Sequence, residues 1–161
     1  MAEIIKGNND GKGYKIAIIS SSFNEEITGN LIQGAVKSLT VNGVSHEDIR
    51  IFYVPGAFEI PTVLERICSK NNVLKFDGII TIGCVIKGGT AHFDYISSAV
   101  SQNINYISSK YGMPTGFCVL TTYTDEQAEA RCRIDVCNAE TNKGYESADA
   151  VIEMINLLKQ I

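Results

Sequence analysis

Four short apolar runs, rich in β-branched residues, recur along the chain and end in polar or glycine-containing segments. Runs of this length and composition are typical of strands that are covered on both faces of a parallel sheet. We therefore predict four parallel strands, over residues 14–20, 49–54, 76–86 and 116–122.

The segments between these runs carry apolar residues every three or four positions, which is the spacing of one helix face. After the first run the pattern begins at Asn24 and stops at Asn42-Gly43, a pair that commonly ends a helix. After the third run it continues to about Tyr111, which a glycine follows. Three further helices are predicted, over residues 59–69, 125–132 and 143–158.

The alternation of strands and helices predicts an α/β fold. Right-handed crossovers would place helices on both faces of a four-stranded parallel sheet, giving a three-layer α/β/α sandwich. The 161 residues are enough for one domain, preceded by a polar N-terminal segment over residues 1–13. No repeat, linker or low-complexity segment divides the chain.

The composition narrows the range of partners. A net charge of −4, without any run of Lys or Arg, gives no basic surface for a nucleic-acid backbone. The five cysteines form no C-x-x-C pair, which favours reduced thiols over a disulfide framework or a zinc site. No segment reaches the ~20 apolar residues of a membrane span, and the N-terminus lacks a signal-peptide pattern. We expect a cytoplasmic protein that binds neither nucleic acid nor membrane.

The carboxyl ends of the predicted strands are where a ligand is expected. In open parallel sheets, ligands bind outside these ends, in the crevice where the strand order reverses. The segments that follow the four strands are therefore the candidate site, and they span residues 20–24, 55–59, 85–92 and 121–124.

A glycine-containing turn, Lys87-Gly88-Gly89-Thr90, joins the third strand to its helix. Backbone N–H groups of such a turn and of the helix N-terminus can converge on an anion, and glycines allow close approach and a positive φ. The turn matches neither GxxxxGK[ST] nor GxGxxG, which argues against an NTPase and a dinucleotide enzyme. Taken alone, it is as consistent with an ordinary strand-to-helix turn as with an anion cradle.

Five side chains near these ends could carry chemistry, and each has a simpler alternative. His92 could transfer protons near neutral pH, or could be a surface residue at a helix start. Phe23 could stack on a flat ligand or pack under its loop, and Glu59 could accept hydroxyl hydrogen bonds or favour its helix N-terminus. Arg131 and Lys143 are cationic donors or solvated surface.

Several motifs in this order resemble one known family. The segments SSSFNEEIT, VPGAFEIP, GCVIKGGTAHFDYI, GFCVLTTYTDEQAEAR and NKGYESADAVIEM, within residues 14–158, are similar to those of 6,7-dimethyl-8-ribityllumazine synthases. The resemblance implies a flavodoxin-like fold and a transferase of riboflavin biosynthesis. Members of this family condense 5-amino-6-(D-ribitylamino)uracil with 3,4-dihydroxy-2-butanone 4-phosphate, releasing phosphate and water. It also implies no metal and no organic cofactor.

The resemblance also implies roles for individual residues. Phe23 would stack on the pyrimidine, His92 would shuttle protons, and Arg131 would pair with the phosphate, which the amides of Gly89 and Thr90 would also bind. The other implied substrate-binding residues are Asn24, Ala57, Phe58 and Glu59, then Val85, Ile86 and Lys87, and finally Phe117 and Lys143 from a neighbouring subunit.

Two features differ from many members of the family. The turn is KGGT where many have RGAT or KGST, which keeps the cation and the threonine. The connection from Arg131 to Lys143 is longer than in the shorter members, and it resembles that of members that remain free pentamers. We therefore expect a homopentamer with active sites at subunit interfaces, and a 60-subunit shell is the alternative.

Without the resemblance, two other classes of function remain open. A non-catalytic flavodoxin-like module could hold a phosphorylated ligand or a flavin in the same crevice, without needing His92 or Arg131. A structural shell protein would have assembly itself as its function.

Overall fold

A computed structural model, which describes residues 1–69 and 73–161, places four parallel strands in one sheet. The prediction of a four-stranded parallel sheet is confirmed. The strands are β1 (Ile16–Ser21), β2 (Ile49–Val54), β3 (Gly78–Ile86) and β4 (Thr115–Thr122). They lie in the order β2-β1-β3-β4, with β1 and β3 in the centre.

Five α-helices connect and flank these strands over the described residues. They are α1 (Glu25–Val41), α2 (Ile60–Cys68), α3 (His92–Tyr111), α4 (Asp125–Glu129) and α5 (Lys143–Leu158). Short 3₁₀ turns also occur at His46–Asp48 and Ala57–Glu59. None of the helices in residues 1–69 and 73–161 has the length and apolarity needed to cross a membrane.

The predicted boundaries were wrong in a few places. Glu59 belongs to a 3₁₀ turn, and α2 ends before Ser69, whose backbone is extended. The helix predicted to reach Cys132 ends three residues earlier, because the backbone of Cys132 pairs instead with Asn142 in an antiparallel bridge. β1 and β3 each begin two residues later than predicted and β4 one residue earlier, while β2 was predicted correctly at both ends.

Helices cover both faces of the sheet, as the three-layer prediction requires. Because successive strand residues point to opposite faces, Ile18 and Ile80 pack on one side while Ile19 and Ile79 pack on the other. The first side is covered by α1 and α5, and the second by α2 and α3. Central strands buried on both faces explain why their sequences are continuously apolar rather than alternating.

The strand order also creates the crevice in which a ligand is expected. The chain leaves β1 toward α1 on one face and leaves β3 toward α3 on the other. Because these connections diverge from neighbouring strands, a gap opens above their carboxyl ends. This gap is the predicted ligand site.

Candidate functional site

A cavity of about 680 Å³ occupies this crevice. It falls in the size range of small-molecule sites, and most of its lining is apolar, with a few polar side chains. Its lining comes from the ends of β1, β2 and β3 and from the starts of α3 and α4. The lining residues are Phe23, Asn24, Gly56, Ala57, Phe58, Glu59, Cys84, Val85, Ile86, His92, Ile96 and Asp125.

The turn after β1 presents Phe23 at the rim of the cavity. The next residue, Asn24, adopts a left-handed backbone conformation with φ 56°, which asparagine tolerates better than most residues. Its side-chain Nδ2 donates a 2.9 Å hydrogen bond to the carbonyl of Cys84, tying the end of β1 to β3. The side chain of Phe23 remains 72% exposed, so the ring is open to a ligand and is not packed under its loop.

The turn after β2 is held by Glu59. Its Oε2 accepts a 2.9 Å hydrogen bond from the backbone N–H of Gly56, which fixes the 3₁₀ turn before α2. Ala57 is buried in the core, whereas Phe58 is 59% exposed. Glu59 therefore stabilises the turn at the start of its helix, which was the simpler of its two predicted roles, and it also lines the cavity.

The end of β3 forms the apolar floor of the cavity. Val85 and Ile86 are half-buried, and Cys84 is buried. Burial, with smaller contributions from Cys132 and Asp125, raises the pKa of the Cys84 thiol to about 11. The thiol is therefore neutral near pH 7 and contributes as a small apolar side chain.

The cysteines form no cluster with other ligand-type residues. Within residues 1–69 and 73–161 all five cysteines are free, and no group of three or more His, Cys, Asp or Glu side chains is placed to hold a metal ion.

The glycine turn after β3 is open and exposed. The N–H of Lys87 donates a 2.9 Å hydrogen bond to the carbonyl of Thr122, which fixes the start of the turn on β4. A Cβ atom at Gly88 or Gly89 would meet no atom within 4 Å. Neither glycine has a positive φ, so the turn does not use the left-handed conformation that glycine allows. The space around both glycines does allow a ligand to approach the backbone closely, as predicted.

Two ionisable side chains at helix starts face the same cavity. His92 is the first residue of α3, directly after the glycine turn, and it is exposed. Asp125 is the first residue of α4, and its carboxylate has no hydrogen bond or ion pair with the part of the chain that the structure describes. The sequence interpretation treated Asp125 only as a helix start. The signal was present, since Asp125 follows directly on the candidate segment 121–124.

Six of the implied binding residues lie outside the cavity lining described above: Lys87, Gly89 and Thr90 of the glycine turn, and Phe117, Arg131 and Lys143. The guanidinium of Arg131 donates a 2.8 Å hydrogen bond to the carbonyl of Gln127. The ammonium of Lys143 forms an ion pair with the carboxylate of Glu146. Phe117 is 48% exposed and lines a separate cavity of about 260 Å³ beside α3.

The connection between Arg131 and Lys143 is closed by hydrogen bonds between its two ends. The N–H of Lys143 donates a 2.8 Å hydrogen bond to the carbonyl of Arg131, next to the bridge between Cys132 and Asn142. The buried side chain of Asn142 also caps the start of α5 and bonds to the carbonyls of Asn30 and Arg133. The residues between them therefore form a loop that leaves Arg131 and Lys143 adjacent.

The family model described as 6,7-dimethyl-8-ribityllumazine synthase matches residues 13–159 of the chain. The match spans all four strands and all five helices named above, and it includes every residue of the cavity lining.

Proposed function

The chain belongs to the 6,7-dimethyl-8-ribityllumazine synthase family, and we propose that the cavity at the ends of β1, β2 and β3 is its active site. The family consists of transferases of riboflavin biosynthesis. They condense 5-amino-6-(D-ribitylamino)uracil with 3,4-dihydroxy-2-butanone 4-phosphate. One observation carries the proposal: the exposed ring of Phe23 and the imidazole of His92, which follows the glycine turn in the chain, line a single cavity at the switch point of the sheet.

The pyrimidine substrate would bind among the apolar side chains of this cavity. Its flat ring would stack on Phe23, which is held outward by the turn at Asn24. The backbone at Val85 and Lys87 would meet the uracil edge, although the N–H of Lys87 is already bonded to the carbonyl of Thr122. The ribityl chain, with its several hydroxyl groups, would lie along Ala57 and Glu59, where one carboxylate oxygen is engaged by Gly56.

The phosphorylated substrate would bind at the glycine turn. The open backbone at Gly88 and Gly89 would let an anion approach closely, and the N-terminus of α3, which follows the turn, favours negative charge. Arg131 would supply a guanidinium group, which can bind phosphate through two parallel hydrogen bonds. In the free structure that guanidinium bonds to a carbonyl on its own short helix, and it would exchange this bond for the phosphate.

His92 would move the protons that the reaction requires. The amine of the pyrimidine attacks the ketone to form a carbinolamine, which loses water to give an imine. Loss of phosphate gives an enol, which tautomerises, and attack by the second amine closes the ring with loss of another water. Each step gives or takes a proton near neutral pH, where an imidazole is effective.

Much of the acceleration would come from binding both substrates in one orientation. Holding two reactants in a productive geometry can supply ~7 kcal/mol or more of the barrier. A cavity without an activated nucleophile is consistent with such a mechanism, since no covalent enzyme intermediate is needed.

We also propose that the active site is completed by a second copy of the chain. Phe117 and Lys143 lie outside the cavity of their own chain, which supports their contribution to the cavity of a neighbour. The family implies a homo-oligomer. We propose a homopentamer in the cytoplasm, with a 60-subunit shell as the alternative assembly.

Steady-state kinetics of two variants test the assigned roles. His92→Ala should lower kcat about 10²-fold or more, with smaller effects on both KM values. Arg131→Ala should chiefly raise the KM of the butanone phosphate. The matched controls are His46→Ala and Arg133→Ala, which change the same residue types at positions that have no proposed role in substrate binding. An unchanged His92→Ala or Arg131→Ala enzyme would remove that residue from the mechanism.

A further inference from the structure

The ring of Tyr123 lies against both ends of the glycine turn. We propose that Tyr123 is a positioning residue that fixes the turn from Lys87 to Phe93 in the conformation that binds the phosphate. The proposal rests on the function assigned to that turn above. It concerns a side chain that does not line the cavity itself.

Two contacts join Tyr123 to the residues that bracket the turn. The ammonium Nζ of Lys87 lies 5.4 Å from the centroid of the Tyr123 ring, within the range of a cation–π interaction. The ring of Phe93 lies on the other side of the turn, with its centroid 6.0 Å from that of Tyr123 and an interplanar angle of 41°. One ring therefore contacts the residue before the two glycines and a residue after them.

The backbone beside Tyr123 is anchored independently of these contacts. The N–H of Tyr123 donates a 2.9 Å hydrogen bond to Oε1 of Gln127 in α4. The preceding carbonyl, that of Thr122 at the end of β4, accepts a 2.9 Å hydrogen bond from the N–H of Lys87. Because its backbone is held at the edge of the sheet, the ring of Tyr123 can restrict the motion of the turn that it contacts.

The turn needs such support, because its own interactions are weak. Residues 87–92 are exposed, and the surroundings of Gly88 and Gly89 are open. Glycine loses more conformational entropy on ordering than any other residue. Within the turn, the N–H of His92 is 3.4 Å from Oγ1 of Thr90, a long hydrogen bond. A turn that is ordered before binding loses less entropy when the phosphate arrives.

The ring of Tyr123, rather than its hydroxyl group, makes these contacts. The side chain is 66% exposed, and within the described residues its hydroxyl has no recorded hydrogen bond. Phenylalanine at this position would keep both ring contacts, and alanine would remove them. The pair of variants therefore separates support of the turn from any effect of the hydroxyl group.

Kinetics of Tyr123→Ala and Tyr123→Phe test the proposal, with both substrates varied separately. Tyr123→Ala should raise the KM of the butanone phosphate about threefold to tenfold, a size expected for losing one cation–π and one aromatic contact. The KM of the pyrimidine and kcat should stay within about twofold, and Tyr123→Phe should match the unmodified enzyme. Tyr95→Ala is the control, because Tyr95 is an exposed tyrosine on α3 whose ring makes no aromatic or cation–π contact with the residues that the structure describes.

Amide hydrogen exchange of the segment 86–93 tests the support of the turn without relying on turnover. Exchange should be faster in Tyr123→Ala than in the unmodified protein and unchanged in Tyr123→Phe and Tyr95→Ala. Equal exchange in all four proteins would overturn the proposal, as would equal KM changes for both substrates or a Tyr123→Phe enzyme as impaired as Tyr123→Ala. An inactive unmodified protein would instead overturn the proposed function, and the exchange result would still decide the role of Tyr123.

Discussion

Asn24 determines how the residue before it meets the ligand. Its left-handed backbone turns the chain sharply from β1 into α1, and its side chain ties this turn to the end of β3 through Cys84. As a result of this turn, Phe23 lies outside the core, and its large apolar ring is exposed at the cavity rim. An exposed ring beside a rigid backbone can stack on a substrate with little loss of conformational entropy.

Asp125 provides a residue-scale prediction. Its carboxylate lines the cavity and is not engaged by other described groups, so it is available to accept hydrogen bonds from the amines or hydroxyls of the pyrimidine substrate. Asp125→Asn should raise the KM of the pyrimidine about fivefold or more, because hydrogen bonds to a charged acceptor are stronger than those to a neutral one. Initial rates at varied pyrimidine concentration give this value.

Glu126→Gln is the matched control for this prediction. Glu126 is also in the first turn of α4, but it is not part of the cavity lining, and hydrogen bonds from its own backbone N–H and from Thr124 lower its pKa. The control removes a charge of the same sign at the same helix N-terminus. If both variants changed the pyrimidine KM equally, the effect would come from the helix and not from a contact with the substrate.

Cavity residues were predictable from the sequence where they directly follow a predicted strand. Phe23, Glu59 and His92 were all proposed from their places after β1, β2 and β3, and all line the cavity. Asp125 was missed because the sequence shows that it begins a helix but not which way α4 points. Without that direction, a side chain that lines the cavity cannot be distinguished from one that only begins a helix. The contacts of Tyr123 were missed for a similar reason, since they depend on the distance between two loops.

At the scale of secondary structure, helices α1 and α5 approach each other closely at glycines. A Cβ atom on Gly144 in α5 would lie 1.9 Å from the backbone oxygen of Leu31 in α1, and one on Gly34 would lie 2.0 Å from the side-chain Oδ1 of Asn142. Real Cβ atoms do not approach backbone that closely. The two helices can therefore pack at this separation only with glycine at these positions.

Gly144→Ala should therefore destabilise the protein. Relief of the clash requires the two helices to separate, and we expect the free energy of unfolding to fall by about 1–3 kcal/mol. Urea unfolding followed by circular dichroism, at one fixed protein concentration, measures the change.

Gly29→Ala in α1 serves as the control for that experiment. A Cβ atom at Gly29 would meet nothing within 4 Å, so alanine should leave the free energy of unfolding unchanged or raise it by up to about 1 kcal/mol. A Gly144→Ala protein as stable as Gly29→Ala would contradict the close packing of α1 and α5.

Element boundaries were predictable where one local signal dominated. β2 and α5 have the predicted bounds, because apolar β-branched residues define the strand and Asn142 caps the helix through its side chain. The end of α4 was not predictable, because it depends on the bridge between Cys132 and Asn142. That bridge joins residues on both sides of a loop, and helical periodicity carries no information about it.

At the scale of the whole molecule, the strand order decides where the site lies. Four parallel strands followed from the apolar runs, but the order β2-β1-β3-β4 comes from packing among all the elements. This order places the turns after β1 and β3 side by side, and it thereby joins Phe23 and Asn24 to the segment from Cys84 to His92. One cavity then contains residues from distant parts of the chain.

The proposed homopentamer is a prediction about the whole molecule. Phe117 and Lys143 lie outside the cavity of their own chain, so a complete site would need a neighbour. Native mass spectrometry should find a mass five times that of the 17.5 kDa chain. A monomer would contradict the shared active site, and a 60-subunit particle would favour the shell over the free pentamer.

The most direct test of the account is the two-substrate reaction of the purified protein. With 5-amino-6-(D-ribitylamino)uracil and 3,4-dihydroxy-2-butanone 4-phosphate both present, we expect fluorescent lumazine to accumulate well above the uncatalysed rate and one phosphate to be released per product. Omission of either substrate should give no product. Lumazine formation no faster than in a reaction without protein would contradict the assignment of the cavity as a lumazine synthase active site.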